Sequence, residues 1–211
     1  MEIQCLIFDV DGTLVPNVNA LIELFQDLVK KYLKKNLSRD EVLSLWGPPD
    51  NEIFKTIFPD DIRKQAWPEF LERYENGHPI EGYFSKDQFQ LLKDKFRYLA
   101  VFTGKGKITC EITLNKIGLT EVFDIILTGN DVKRSKPYPD ALFQILEFLN
   151  LKKNQTLFLG DSHLDIIAGK AAGILTAGAL WGSAEVEKLI NSKPDYLFQT
   201  PPQFMNFILH V

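Results

Sequence analysis

The sequence has 211 residues, of which 45% are hydrophobic and 25% are charged, and its formal net charge at pH 7 is −4. This length suits one large α/β domain or a core domain with a smaller insertion, and the composition excludes a disordered chain. The slight negative charge offers no basic footprint for nucleic acid or an anionic membrane, so we expect neither as a partner.

The start of the chain and its cysteine usage bear on the compartment. The N-terminal run "MEIQCLIF" has no basic segment before it, and no uncharged stretch in the sequence is long enough to cross a bilayer. Cys5 and Cys110 have no metal-ligand spacing, and we interpret both as reduced thiols. These features predict a cytoplasmic protein.

The first predicted strand lies in "IQCLIFDV" and leads into the stretch "DVDGTLV". The following segment, residues 16–84, has helical periodicity without a convincing strand, as in "ALIELFQDLVKKYLKK". Ser38 is a predicted N-cap with Glu41 in the capping-box position, and further helices are expected after "GPP" and in "DDIRKQAWPEFLERYENG". We therefore expect a small all-helical cap inserted after the first strand.

From Arg97 onward, short apolar runs alternate with helical patterns. The predicted strands are "RYLAVFTG", "FDIILTG", "QTLFLGD", "ILTAGALW" and "DYLFQT", and the predicted helices cover 107–117, 140–150, 164–172, 184–191 and 202–209. This alternation is typical of a parallel sheet covered by helices on both faces. The predicted fold is α/β, with a doubly wound, Rossmann-like core formed by residues 1–15 and 85–211 and a cap formed by 16–84.

Polar side chains follow several of these strands where each one ends. Asp9 and Asp11 follow the first strand, Thr103 follows "AVF", and Asp161 follows "TLFLG", with Asp165 one helical turn later. Active sites in open parallel sheets collect at this edge. Converging carboxylates would repel one another without a cation, and Mg²⁺ favours such oxygen ligands, so the pattern predicts a magnesium site.

Four motifs carry a family resemblance: "DVDGTL", "VFTGK", "RSKPYPD" and "FLGDSHLDIIAGKAAG". In this order and spacing the sequence resembles the haloacid dehalogenase-like hydrolase superfamily, over essentially the whole chain. The C-terminal "ALWGSAEVEKLINSKPDYLFQTPPQF" is similar to the phosphoglycolate-phosphatase branch of that superfamily.

The resemblance implies a role for each motif residue. Asp9 would be the nucleophile that forms an aspartyl-phosphate, and Asp11 the acid and base, with its backbone carbonyl at the metal. Thr103 and Lys136 would hold the phosphoryl oxygens. The residues implied at the metal are Asp9, Asp11, Asp161 and Asp165, and either Asp161 or Asp165 would ligate it directly while the other acts through water. The implied substrate is a small phosphorylated metabolite.

Four further residues are candidates for contacts to the substrate. Gly104 and Lys105 precede a helix, where backbone N–H groups can cradle phosphate; for the Lys105 side chain the favoured interpretation is a solvated surface lysine, and a contact to substrate is the alternative. In the cap, "LWGPPDNEIF" lies where the branch carries a specificity loop, so Asn51 and Lys55, with Trp46 and Pro48, are candidates to face the leaving group. The alternative there is a purely structural turn.

The predicted function is that of a Mg²⁺-dependent phosphatase acting on a small, phosphoglycolate-like phosphomonoester, as a monomer or homodimer. The alternatives are an inorganic pyrophosphatase, a sugar-phosphate mutase of the same superfamily, and a non-catalytic scaffold that binds phosphorylated ligands. A mutase of this type usually has a histidine soon after the first motif, and "LVPNVNALIEL" has none.

Overall fold

A computed structural model describes residues 2–77 and 81–211 of the chain. Six parallel strands form one sheet: β1 (Cys5–Phe8), β2 (Tyr98–Phe102), β3 (Ile125–Leu127), β4 (Thr156–Gly160), β5 (Leu175–Ala179) and β6 (Tyr196–Phe198). Their order across the sheet is β3-β2-β1-β4-β5-β6. In the centre, Ile7 of β1 pairs with Ala100 of β2 on one side and with Phe158 of β4 on the other.

Within the described residues, five helices lie between β1 and β2, and the first four of them belong to the inserted stretch: α1 (Val18–Leu33), α2 (Arg39–Ser44), α3 (Asp50–Ile57) and α4 (Asp60–Asn76). The predicted capping box at the start of α2 is present, with the Glu41 N–H donating to Ser38 Oγ and the Ser38 N–H donating to Glu41 Oε2. The four helices bury an apolar cluster of their own, centred on three aromatic rings whose centroids lie 4.9 to 5.4 Å apart: Phe25, Phe54 and Phe70.

Six more helices cover the two faces of the sheet: α5 (Lys86–Lys95), α6 (Lys107–Lys116), α7 (Asp140–Phe148), α8 (His163–Ala172), α9 (Val186–Asn191) and α10 (Pro201–His210). Because side chains alternate along a strand, β1 supplies both faces: Leu6 and Phe8 belong to one buried cluster, and Cys5 and Ile7 to the other. All four of these residues are buried, as expected of a strand covered on both sides.

The α/β fold with a doubly wound parallel sheet, expected from the sequence, is confirmed. Helix α5 was not predicted. The division into a core and a cap at residues 16 and 84 stays a prediction, although Phe84 itself packs in a cluster of the sheet rather than with the inserted helices. Across the described residues, the model contains no helix with the length and apolar character needed to span a membrane.

Candidate active site

The candidate site lies at the carboxyl edge of the sheet, beside its central strand. After β1 the chain builds β2 and β3 on one side, and β4 to β6 then occupy the other side. Such a reversal of strand order opens a crevice between the loops that follow the neighbouring strands. Asp9 follows β1, Thr103 follows β2 and Asp161 follows β4, so three separate segments deliver polar side chains to this crevice.

Asp9, Asp161 and Asp165 form a buried acidic cluster in the crevice, with one carboxylate oxygen from each residue within 4.8 Å of the others. The ammonium of Lys136 lies 2.8 Å from Asp9 Oδ1 and 2.5 Å from Asp165 Oδ1. Lys136 therefore offsets part of the negative charge that burial concentrates here, and it reaches the cluster from the loop that precedes α7.

Neighbouring groups fix the orientation of two of these carboxylates. The Thr13 hydroxyl donates to Asp161 Oδ1 at 3.1 Å. The Ser162 N–H donates to Asp165 Oδ2 at 2.9 Å, within a capping box in which Ser162 also caps the N-terminus of α8. The acidic cluster is thus built into the start of a helix, where negative charge is favoured by the helix dipole.

Burial and repulsion from neighbouring carboxylates raise the pKa values of two residues in the cluster, Asp9 and Asp161. Burial raises the pKa of Asp9, the nearby Asp165 raises it further, and the ammonium of Lys136 opposes both effects. Burial also raises the pKa of Asp161 well above its ordinary value, with additional repulsion from Asp9 and Asp165. For Lys136, burial disfavours the charged form, but the attraction of Asp165 and Asp9 outweighs it and raises the pKa. The negative charge of the cluster is therefore only partly offset by the ammonium of Lys136.

The chemistry of these donors suits a hard divalent cation. Among the described residues, three buried carboxylates converge and a single ammonium contacts them, and hard divalent cations prefer oxygen ligands. The carboxylate of Asp11 is not part of this cluster, because it accepts hydrogen bonds from Lys105 and Asn17 instead. A contribution of its backbone carbonyl to metal binding stays a prediction.

Lys105 holds the side chain of Asp11. Its Nζ lies 2.9 Å from Asp11 Oδ2 and 3.1 Å from Oδ1, and its side chain has no exposed surface. The interpretation of Lys105 as a solvated surface lysine is therefore wrong. Burial disfavours its charge, but Asp11, Tyr74 and Asp50 outweigh that effect and raise the pKa of Lys105 well above its usual value. Lys105 therefore contacts Asp11, the residue predicted to act as general acid and then as general base, and it also lines the cavity described below.

Residues that sequence reasoning did not single out connect Asp11 to the inserted helices. The amide of Asn17 donates to Asp11 Oδ1 at 2.6 Å and to the hydroxyl of Tyr74 at 3.1 Å. The Tyr74 hydroxyl also shares a 2.6 Å hydrogen bond with Thr113 of α6, and its ring lies 4.5 Å from Lys105 Nζ. Tyr74 is in α4, so this network joins an inserted helix to the sheet and its loops. No local motif in the sequence marks Asn17 or Tyr74.

Close packing against Asp161 requires a glycine at position 12. Its φ of +79° lies in the left-handed region, and a Cβ at this position would stand 2.3 Å from Asp161 Oδ2. Only glycine lets the loop after β1 pass this close to the acidic cluster. The glycine in "DVDGTL" therefore allows the first strand and the segment after β4 to meet.

A cavity of about 120 Å³ lies above the acidic cluster. Its floor includes the predicted motif residues, with Thr103 and Gly104 beside Lys105 and Lys136. The inserted segment forms the opposite wall, and its lining residues are Val18, Leu21, Phe25, Trp46, Gly47, Pro48, Asp50 and Ile53. The core motifs and the inserted helices thus face each other across one small space.

Asn51 and Lys55 do not line this cavity, which corrects the prediction that they face the leaving group. Lys55 pairs with Glu52 at 2.6 Å and is about half exposed, and Asn51 accepts a hydrogen bond from Asn130 at 3.0 Å. Both line a separate depression on the outer surface of the helices. The reason is helical geometry: Asp50 and Ile53 share the inward face of α3, while Asn51 and Lys55, four residues apart, share another.

Comparisons with known proteins agree with this arrangement. A family model described as "Haloacid dehalogenase-like hydrolase" matches residues 6–179. The chain is 30% identical to the pyrophosphatase PpaX of Anoxybacillus flavithermus over 99% of this chain and 98% of that protein. Two solved structures share the fold. A predicted phosphoglycolate phosphatase from Haemophilus somnus has a TM-score of 0.85 at 23% identity, with 99% of each chain covered. CbbY from Rhodobacter sphaeroides, in complex with phosphate, has a TM-score of 0.77 at 22% identity, with 94% of each chain covered.

Proposed function

The chain belongs to the haloacid dehalogenase-like hydrolase family and is a phosphatase, and we propose that it hydrolyses a small phosphomonoester with Mg²⁺ through an aspartyl-phosphate on Asp9. The membership expected from the four motifs is confirmed. The observation that carries the proposal is the buried cluster of Asp9, Asp161 and Asp165 at the floor of the cavity, with Lys136 in contact with Asp9 and Asp165.

In the first step, a carboxylate oxygen of Asp9 attacks phosphorus, and the bond from phosphorus to the leaving oxygen breaks. Asp11 donates a proton to that oxygen, so the leaving group departs as a neutral alcohol. Lys136 and the hydroxyl of Thr103, both buried on the floor, stabilise the oxygens of the phosphoryl group as charge redistributes.

In the second step, Asp11 accepts a proton from water while the water oxygen attacks phosphorus. The bond between phosphorus and the Asp9 oxygen breaks, which releases inorganic phosphate and restores the carboxylate. Asp9, Asp161 and Asp165 would hold the cation, and Mg²⁺ bound there would neutralise phosphoryl charge. The inserted helices cover one side of this space and reduce its contact with bulk water, which strengthens the electrostatic interactions within it.

Release of phosphate from p-nitrophenyl phosphate tests the activity. We expect turnover with Mg²⁺, none in excess chelator, and recovery when Mg²⁺ is restored. Asp9→Asn should lower kcat by several orders of magnitude, whereas Asp94→Asn, an exposed control on α5, should keep wild-type activity. Borohydride reduction of an acid-quenched reaction, followed by peptide mass spectrometry, should locate the acyl phosphate at Asp9. Full activity in excess chelator would contradict the metal-dependent mechanism.

Inorganic pyrophosphate is a second candidate substrate, because the relative that is 30% identical over nearly the whole chain is named a pyrophosphatase. Phosphoglycolate is a third, as the resemblance to that branch predicts. A sugar-phosphate mutase would transfer the phosphoryl group to a second hydroxyl instead of to water. Measuring phosphate release from pyrophosphate, phosphoglycolate and a hexose phosphate in one panel distinguishes these reactions.

A further inference from the structure

The wall of the cavity that faces the leaving group differs from its floor. The floor carries the acidic cluster, Thr103 and the two lysines, whereas the inserted helices contribute mainly apolar side chains. Val18, Leu21 and Phe25 come from α1 and Ile53 from α3, and all four are buried. Trp46 lines this cavity and also the two adjoining surface depressions, so it stands where the cavity opens to solvent.

Charge in the cavity is unbalanced toward the negative. Within the part of the chain that the structure describes, the lining contains five aspartates and only two cationic side chains, Lys105 and Lys136. Both cations are already paired, Lys105 with Asp11 and Lys136 with two residues of the acidic cluster. A divalent cation and the phosphoryl group would occupy the floor, so neither lysine is available to a second anionic group on the substrate.

The apolar wall carries one charged residue, and it is an acid. Asp50 Oδ2 accepts hydrogen bonds from the Gly106 N–H at 3.0 Å and from the Thr109 hydroxyl. These bonds hold a negative charge beside the space for the leaving group. A carboxylate or second phosphate placed there would lose its hydration against apolar side chains and meet a like charge. An apolar group in the same place would gain from leaving water.

Given the proposed function, we infer that this enzyme selects phosphomonoesters whose leaving alcohol is uncharged and apolar. The volume limits the size of that alcohol. An engineered apolar cavity of about 150 Å³ holds one benzene molecule, so a space of about 120 Å³ that must also take the phosphoryl group suits a short alkyl group better than a ring. Carboxylated alcohols and inorganic pyrophosphate are disfavoured by the same walls.

A matched pair of substrates isolates the effect of a negative charge on the leaving group. Isobutyl phosphate and phosphoglycolate have nearly the same shape, because an isopropyl group replaces a carboxylate, and both release an ordinary alcohol oxygen. With the wild-type protein and Mg²⁺, we expect kcat/KM for isobutyl phosphate to exceed that for phosphoglycolate by about tenfold to a few hundredfold. Pyrophosphate should rank with phosphoglycolate.

Two substitutions at one position test the wall itself. Trp46→Arg brings a cation to the partly exposed mouth of the cavity and should lower the preference for isobutyl phosphate by about tenfold or more. Trp46→Leu, which keeps the position apolar, should preserve the preference. Lys55→Ala removes a cation from the outer surface, away from the cavity, and should leave the ranking unchanged.

The possible outcomes distinguish the inference about the leaving group from the proposed phosphatase function. If phosphoglycolate or pyrophosphate is hydrolysed as efficiently as isobutyl phosphate or better, the inference about the leaving group is overturned and the phosphatase mechanism stands. If no phosphomonoester is hydrolysed with Mg²⁺, the proposed function fails and the inference falls with it. The wild-type comparison decides between these outcomes even if a Trp46 variant does not fold.

Discussion

The ammonium of Lys105 lies within 3.1 Å of both carboxylate oxygens of Asp11, from a position with no solvent exposure. Asp11 keeps 19% of its side chain exposed and lines the cavity, so the carboxylate is held from one side and open on the other. Asn17 adds a third hydrogen bond to the same group. Lys105 is thus a positioning residue for the group that we assign to proton transfer.

Lys105→Met should therefore impair substrates according to how much their leaving group needs a proton. General acid catalysis contributes roughly 10²- to 10⁴-fold, so kcat/KM for an alkyl phosphate should fall by about a hundredfold or more. Nitrophenolate leaves without a proton, and the loss with p-nitrophenyl phosphate should be less than about tenfold. The exposed Lys107→Met is the matched control. Equal losses for both substrates would show that Lys105 supports only the fold.

Gly12→Ala should disable the site through geometry alone. The new Cβ would stand 2.3 Å from an oxygen of Asp161 and would also hold the left-handed φ of +79°. Gly173→Ala is a control for the backbone effect, because its φ is +75° but its Cβ would meet only the flexible side chain of Lys153, at 3.3 Å. We expect both variants to lose about 1 kcal/mol of stability from backbone strain.

Phosphate-release assays on the two variants then distinguish the effect of backbone strain from the effect of the steric clash with Asp161. Only Gly12→Ala should lose most of its activity, because only there does the added carbon displace a residue of the acidic cluster. Wild-type kcat/KM in folded Gly12→Ala would contradict the close approach between the loop after β1 and Asp161.

The sheet and the floor of the site were predictable because their signals are local. Each strand is an apolar run, and parallel strands necessarily bring the residues at their carboxyl ends to one edge. Helix α5 escaped prediction although "SKDQ" carries the signal: Ser85 and Gln88 form a capping box in the structure. Its short apolar set, with only Phe89 and Leu92 buried, gave weak periodicity.

The wrong predictions at Lys105 and at Asn51 and Lys55 have different causes. The sequence around Lys105 has no feature that reveals Tyr74 and Asp11 closing over it, because both lie far away in the chain. For Asn51 and Lys55 the mistake was to treat a polar stretch as one surface. Once a helix begins at Asp50, residues 50 and 53 point one way and residues 51 and 55 another.

Cys5 and Cys110 should be unreactive in the folded protein and should make it sensitive to alkali. Burial raises the pKa of each thiol to about 12, from an ordinary value of 9.0. At pH 8 the native thiolate fraction is then about 10⁻⁴, so alkylation should be negligible until denaturant is added. The folded state holds these protons more tightly, so the stabilisation is complete below pH 9 and is lost as pH rises toward 12.

Urea unfolding at pH 7 and pH 10 measures this linkage. The loss at pH 10 should be about 1.4 kcal/mol per thiol, and a variant with both cysteines replaced by alanine should lose correspondingly less between the two pH values. An equal loss in that variant and in the wild type would assign the alkaline sensitivity to other groups. Rapid alkylation of either thiol under native conditions would contradict its burial.

Lys136→Met should make the stability of the protein depend on a divalent cation. The substitution removes the only ammonium that contacts Asp9 and Asp165 within the described residues, and it leaves those carboxylates buried beside Asp161. Breaking a buried ion pair from one side typically costs about 3–5 kcal/mol. A cation bound by the three carboxylates would restore part of that loss, because a ligand that binds only the folded state stabilises it.

Thermal unfolding with chelator and with Mg²⁺ measures this effect. The gain in Tm on adding Mg²⁺ should be larger for Lys136→Met than for the wild type. Lys133→Met, an exposed substitution on the same loop, is the control and should gain only as much as the wild type. Equal gains in the variant and the wild type would show that Lys136 does not substitute for the cation, whereas no gain in the variant would contradict the assignment of the metal site to this cluster.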